Sequence, residues 1–134
     1  QILIDRFLNN MPKLKSLRTN LTEAAESGVI KGLDGRLIHI RNSYSAVNSL
    51  IQGAGAVVCK QWLVQMIKEI NAQGLDAKLV ASIHDEYQFE VSKKDIEQFG
   101  KITKESIKKV EQVYDLKCPL DSEFKVGKTW AETH

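Results

Sequence analysis

The chain has 134 residues, 43% of them hydrophobic, with a formal net charge of +2. That is enough apolar chain for one globular unit with a core. No apolar run approaches the roughly 20 residues of a membrane span, and the charged, amphipathic opening "QILIDRFLNN" does not read as a signal peptide. A charge this small does not point to nucleic acid by itself.

In chain order, residues 2 to 26 are expected to be helical. Ile4, Phe7 and Leu8, then Leu14, Leu17 and Leu21, sit at helical spacing, with a break at Pro12 and a stop at Gly28. "VIKGLDGRLIHIR" predicts a hairpin, because two short β-prone runs flank Asp34-Gly35, a strong two-residue turn signal. From about Tyr44 to Ala72 the spacing predicts one long helix. Val47, Ile51, Ala54, Val58, Trp62, Met66 and Ile70 form a single buried stripe, and Gly74 closes it.

Leu79 to Ile83 and Tyr87 to Val91 predict a second hairpin, with Tyr87, Phe89 and Val91 inward and Gln88 and Glu90 outward. Ser92 is expected to cap a helix from about Lys93 to Val113, with Ile96, Phe99, Ile102, Val110 and Val113 on the core side. Lys93, Lys94, Lys101, Lys104, Lys108 and Lys109 read as its solvated face. A last strand is expected near Asp121 to Val126, ahead of the tail "GKTWAETH". Cys59 and Cys118 lack metal-ligand spacing and read as reduced, half-buried thiols of a cytosolic protein. The fold class is α+β, with antiparallel hairpins packed by long helices.

The candidate site lies in "LVASIHDEYQFEV", where His84, Asp85 and Glu86 fall at a hairpin tip. Two readings of the triplet stay open. Aspartate favours turns because its side chain hydrogen-bonds nearby backbone. Alternatively, Asp85 and Glu86 offer hard oxygen ligands to Mg²⁺, on strands that hold a carboxylate in place. The chain has no H-E-x-x-H, no phosphate-binding loop of the Walker type and no nucleophile elbow.

"SIHDEYQFEV" resembles the C-terminal catalytic motif of family A (pol I-like) DNA polymerases, a strand-turn-strand with His-Asp-Glu at its tip. "GLDGRLIHIRNSYSAVNSLIQGAGAVVCK" resembles the family's hairpin and long palm helix. "RFLNNMPKLKSL" resembles the segment after the fingers, and "WAETH" resembles the family's C-terminus. The resemblance covers essentially the whole chain and is nearest to the phage replicative branch.

It implies that Asp85 is a catalytic ligand of two Mg²⁺ ions, shared with an aspartate from an earlier motif. Glu86 would lie near the metals with a secondary role, and His84 would contact the backbone at the primer terminus. Asn48 and Gln52, four apart on one helix face, would touch the minor groove of the primer-template duplex. Without the resemblance they are polar boundary residues. Arg41 would contact the DNA backbone, and His134 would lie near the active site. Otherwise these are a surface arginine and a frayed tail. Gly53 and Gly55 would let the helix approach its neighbours. At Tyr44 bacterial relatives carry a template-contacting arginine, so that contact is not expected here.

The implied partners are primer-template DNA, a dNTP and the remainder of a polymerase, in the cytoplasm of a host cell if the chain is phage-encoded. The earlier D-x-S-x-x-E motif and the fingers pattern R-x-x-x-K-x-x-x-x-x-x-Y-G do not occur in these 134 residues. The chain starts at Gln1 and its first methionine is Met11. The expectation is therefore that residues 1–134 are a single unit, the C-terminal portion of a DNA-directed DNA polymerase, inactive alone. The alternatives are a separately encoded subunit of a split polymerase and a non-catalytic relic that binds DNA or a partner.

Overall fold

The computed structural model describes residues 2–134, Ile2 by its backbone only. The elements run α1 (Ile2–Asn10), α2 (Pro12–Ala25), β1 (Val29–Lys31), β2 (Leu37–His39), a 3₁₀ turn (Ser43–Ser45) and α3 (Ala46–Gln73). Then follow β3 (Ala77–Ile83), β4 (Glu86–Val91), α4 (Ile96–Val113) and α5 (Trp130–Thr133). The class is α+β. The chain separates into two compact units, residues 1–55 and 56–134, and α3 begins in the first and ends in the second.

In the first unit Pro12 opens α2, where its missing N–H costs nothing. Gly28, at φ +79°, turns the chain out of the helix. The β1–β2 pair is antiparallel with Ile30 opposite Ile38. Its connection is longer than the expected two-residue turn. Residues 32–36 form it, closed by the Gly35 N–H on Gly32 O and the Gly32 N–H on Arg36 O. Asp34 accepts from Arg36 inside this loop, and that guanidinium holds the Asp34 carboxyl below its usual range. Leu21, Ala25, Ile30, Ile40 and Ala46 form the core, with Ile38, Val47 and Leu50 against it. Leu14 and Leu8 are half-buried, but Ile4, Phe7 and Leu17 are exposed, so the apolar face of α1 does not join this core.

The second unit is built on Met66, Ile70 and Ile102, which join α3 to α4, with Trp62, Tyr87, Phe89 and Phe99 packed around them. Ring pairs tie the sheet to both helices: Trp62 and Tyr87 at 5.5 Å, Phe89 and Phe99 at 4.9 Å. The Trp62 indole N–H donates to Thr103 O at 2.9 Å, and Lys109 forms an ion pair with Glu69.

The α3 stripe is not continuous, because Ile51 is 55% exposed while Ala46 and Met66 are buried in separate cores. Val113 is likewise exposed, at the last turn of α4. Ser92 does not cap α4: its carbonyl accepts the Asp95 N–H, and α4 starts only at Ile96. The Asp95 carboxylate instead accepts the Asp76 N–H at 3.0 Å, tying the start of α4 to the start of β3. Cys59 is half-buried as expected, but Cys118 is exposed.

The strand expected at Asp121 to Val126 is not formed either. Each described sheet has two strands, and this segment pairs with neither. It crosses α4 as irregular chain, held by Lys108 on Leu120 O and by the Leu120 N–H on Glu111 at 2.8 Å. Phe124 lies over Gly100, where an added Cβ would meet its ring at 2.4 Å. A helix-interior glycine normally costs about 1 kcal/mol relative to alanine. Gly100→Ala should therefore fail to stabilise the chain in chemical denaturation, because the methyl displaces Phe124. A gain of the full helix-propensity amount would show that this contact is absent.

Candidate functional site

The β3–β4 hairpin presents the candidate turn. Ile83 pairs with Glu86, leaving His84 and Asp85 as the two central residues. Glu86 is thus the first residue of β4 rather than part of the loop. His84 takes φ +54°, a left-handed backbone at the first central position of the kind that primed hairpin turns use. Val80 is an extra residue at the register shift between Leu79 and Ala81. The hairpin is anchored from below by Tyr87 and Phe89.

Asp85 is exposed, and among the described residues nothing hydrogen-bonds or pairs with its carboxylate. Behind the turn, burial pushes the Cys59 thiol up, and the Asp85 charge adds to that. Glu86 is in the opposite situation. Its Oε1 accepts from Gln88 Nε2, and its Oε2 lies 3.1 Å from His134 Nδ1. The Gln88 amide, and after it His134 and Trp130, hold the Glu86 carboxyl below its ordinary value of 4.5. Trp130 stacks edge-on against His134 at 5.8 Å. A cavity of about 360 Å³ opens here, lined by Asp85, Glu86, His134, Phe89, Phe99 and Phe124 among others.

His134 is therefore brought onto the β3–β4 hairpin through Glu86, whereas the His84 side chain is exposed at the tip. In the first unit Asn48 and Gln52 are both exposed, one turn apart on α3. Arg41 is exposed just past β2, and the next residue, Asn42, caps the 3₁₀ turn by accepting the Ser45 N–H at 3.0 Å. Tyr44 is exposed. Gly53 does permit a close approach, since a Cβ there would meet Ile38 Cδ1 at 3.2 Å; Gly55 faces open space.

Sequence reasoning overlooked Gln88 and Thr133. The strand period offered a signal for the first, since Glu86 and Gln88 are two apart and share the face opposite Tyr87 and Phe89. For Thr133 there was none, because its contact with Gln88 spans 45 residues.

A metal ion would find one available carboxylate here. Among the described residues no group of three or more His, Cys, Asp or Glu is arranged to hold one. Mg²⁺ commonly takes one or two carboxylates and completes its shell with water and phosphate oxygens, so Asp85 would supply at most one such ligand.

With this geometry in hand, comparison with known proteins is informative. DNA polymerase family A matches residues 1–132, and the chain belongs to that family. It is 34% identical to a DNA-directed DNA polymerase of Enterobacteria phage T3 and 32% to that of Escherichia phage T7, each over 96% of this chain. It is 30% identical to DNA polymerase I of Aquifex aeolicus, over 98% of this chain. It spans only 21%, 21% and 24% of those relatives' lengths. The fold is similar to the POL domain of Pol1 from M. smegmatis, solved in complex with DNA primer-template and dNTP. The TM-score is 0.71 at 19% identity, over 81% of this chain and 22% of that one. Among the described residues no helix is long and apolar enough to cross a membrane.

The fold favours the charged form of Glu86, so its contribution to holding the C-terminus is present above pH 4.5 and is lost as the pH falls through its lower folded value. A carboxyl ¹³C titration should give Glu86 a midpoint below 4.5. A midpoint at or above it would contradict the contacts with Gln88 and His134.

Proposed function

We propose that this chain is the C-terminal palm portion of a DNA-directed DNA polymerase of the phage replicative branch. Its second hairpin would carry half of a two-metal site for template-directed nucleotidyl transfer. One observation supports this above the rest: Asp85 holds an exposed, unengaged carboxylate at a two-residue turn whose strands are fixed by aromatic packing. A carboxylate so mounted is ready to ligate a cation. The phage T3 and T7 relatives and the primer-template and dNTP in the M. smegmatis complex lend further weight.

Asp85 would hold Mg²⁺ together with an aspartate carried by the remainder of the polymerase, which would also supply the fingers helix. When bound, Mg²⁺ supplies a lowered pKa for the primer 3′-hydroxyl and neutralises charge on the triphosphate and the leaving pyrophosphate. Glu86 adds negative charge beside that ligand. His84, set outward by its left-handed backbone, reaches the backbone of the primer terminus.

On the exposed face of α3, the Asn48 and Gln52 amides would donate to minor-groove acceptors. Those acceptors occupy similar places in every base pair, so the contact tests pair geometry without reading sequence. Arg41 would bind a phosphate, positioning the duplex without selecting its sequence. An enzyme of the phage branch would do this work in the cytoplasm of the host cell.

In the complete polymerase, Asp85→Ala should lower nucleotide incorporation by more than about a hundredfold. That exceeds the usual cost of losing only a group that supports a ligand. Primer-template affinity should be retained in a binding titration. Incorporation at the normal rate would remove Asp85 from the metal site.

A further inference from the structure

We propose that Gln88 is a positioning residue that locks the Thr133-His134 pair onto Glu86, so that these two residues fix a carboxylate beside the Asp85 turn. This rests on the polymerase reading of Asp85 given above. The contacts form a closed circuit. Gln88 Nε2 donates to Glu86 Oε1, the Thr133 hydroxyl donates to Gln88 Oε1 at 3.1 Å, and His134 Nδ1 meets Glu86 Oε2 at 3.1 Å.

Chemistry sets the direction of each link. A carboxylate only accepts, so the amide nitrogen of Gln88 must face Glu86 and its oxygen must face Thr133, whose hydroxyl must then donate. The same hydroxyl also lies 3.1 Å from Trp130 O, and its proton is shared between the two acceptors. No aliphatic or acidic side chain at position 88 could serve both neighbours at once.

Apolar packing does not do this work instead. Trp130 is 51% exposed, and Thr133 is the only half-buried residue from 130 to 134. Beneath the segment lies the cavity, not a filled core. The polar circuit is therefore what holds the chain's end to β4. It also engages both oxygens of Glu86, leaving Asp85 as the unengaged carboxylate of the turn. Loss of either link removes one of the contacts that fix Glu86 next to the proposed metal-binding position.

The test uses the full-length polymerase with Gln88→Leu, Thr133→Val and Thr133→Ser, read by steady-state incorporation and by hydrogen exchange of the residue 130–134 amides. Gln88→Leu and Thr133→Val should each lower kcat about tenfold, the scale of losing a group that orients a metal-site residue. KM for dNTP should change little, and the residue 130–134 amides should exchange faster. The double variant should be no worse than either single, because the residues act as a unit. Thr133→Ser keeps the hydroxyl and should behave as the parent enzyme.

Parent-like kcat and amide exchange in Gln88→Leu and Thr133→Val would overturn the clamp. So would multiplying losses in the double variant, or Thr133→Ser falling as far as Thr133→Val. Asp85→Ala, run alongside, separates the two ideas. If Asp85→Ala still incorporates nucleotide, the polymerase role of the turn fails, while the exchange rates still decide the clamp. If it is inactive and the Gln88 variants are unaffected, only the clamp fails.

Discussion

The second unit depends on the contact of Met66 and Ile70 with Ile102. These residues lock α3 to α4, and the hairpin lies on that pair through Tyr87 and Phe89. Trp62 and Phe99 supply the facing rings. Buried aromatics of this size dominate local energetics and leave few rotamers. The turn between β3 and β4 therefore inherits a fixed position from packing well below it. A flexible loop could bear the same triplet of residues, but it would not hold a carboxylate in place.

The two acidic residues of the turn are adjacent in sequence and differ in situation. Asp85 stands exposed and unengaged. Glu86 is the first residue of a paired strand, with a partner on each oxygen. The difference follows from the turn's length: two central residues put Asp85 in the loop and Glu86 in the ladder. His134 is near because Glu86 and Gln88 both present acceptor oxygens to residues 133 and 134 along one face of β4.

Most of the architecture was legible because it rests on local signals. Pro12, Gly28 and Gly74 punctuate the helices, period-two alternation marks Tyr87 and Phe89, and the His-Asp-Glu triplet falls between two apolar runs. What was missed depends on partners far away in the chain. Residues 121–126 alternate like a strand, but a strand needs a neighbour, and Phe124 packs on Gly100 instead. Gly100 was itself a hint, a glycine in a helix interior where only close approach repays its cost. The α3 stripe misled because one helix serves two cores, which a single periodic pattern cannot distinguish from one. Ser92 looked like a cap, yet the carboxylate near the helix start belongs to Asp95 and is bound to Asp76. In the site, a polar hairpin tip at His84 and Asp85 was readable from the flanking apolar runs, but Thr133 could not be paired with Gln88 without the fold.

The central claim is that Asp85 is a metal ligand and that Glu86 is held beside it. The most direct measurement is a crystal structure of the complete polymerase with primer-template, Mg²⁺ and a non-hydrolysable nucleotide. An Asp85 carboxylate oxygen should lie about 2.0–2.1 Å from an ion, the ordinary Mg²⁺–oxygen distance, with Glu86 still bonded to Gln88 and His134. Ions held by other residues, with Asp85 left in solvent, would contradict the account.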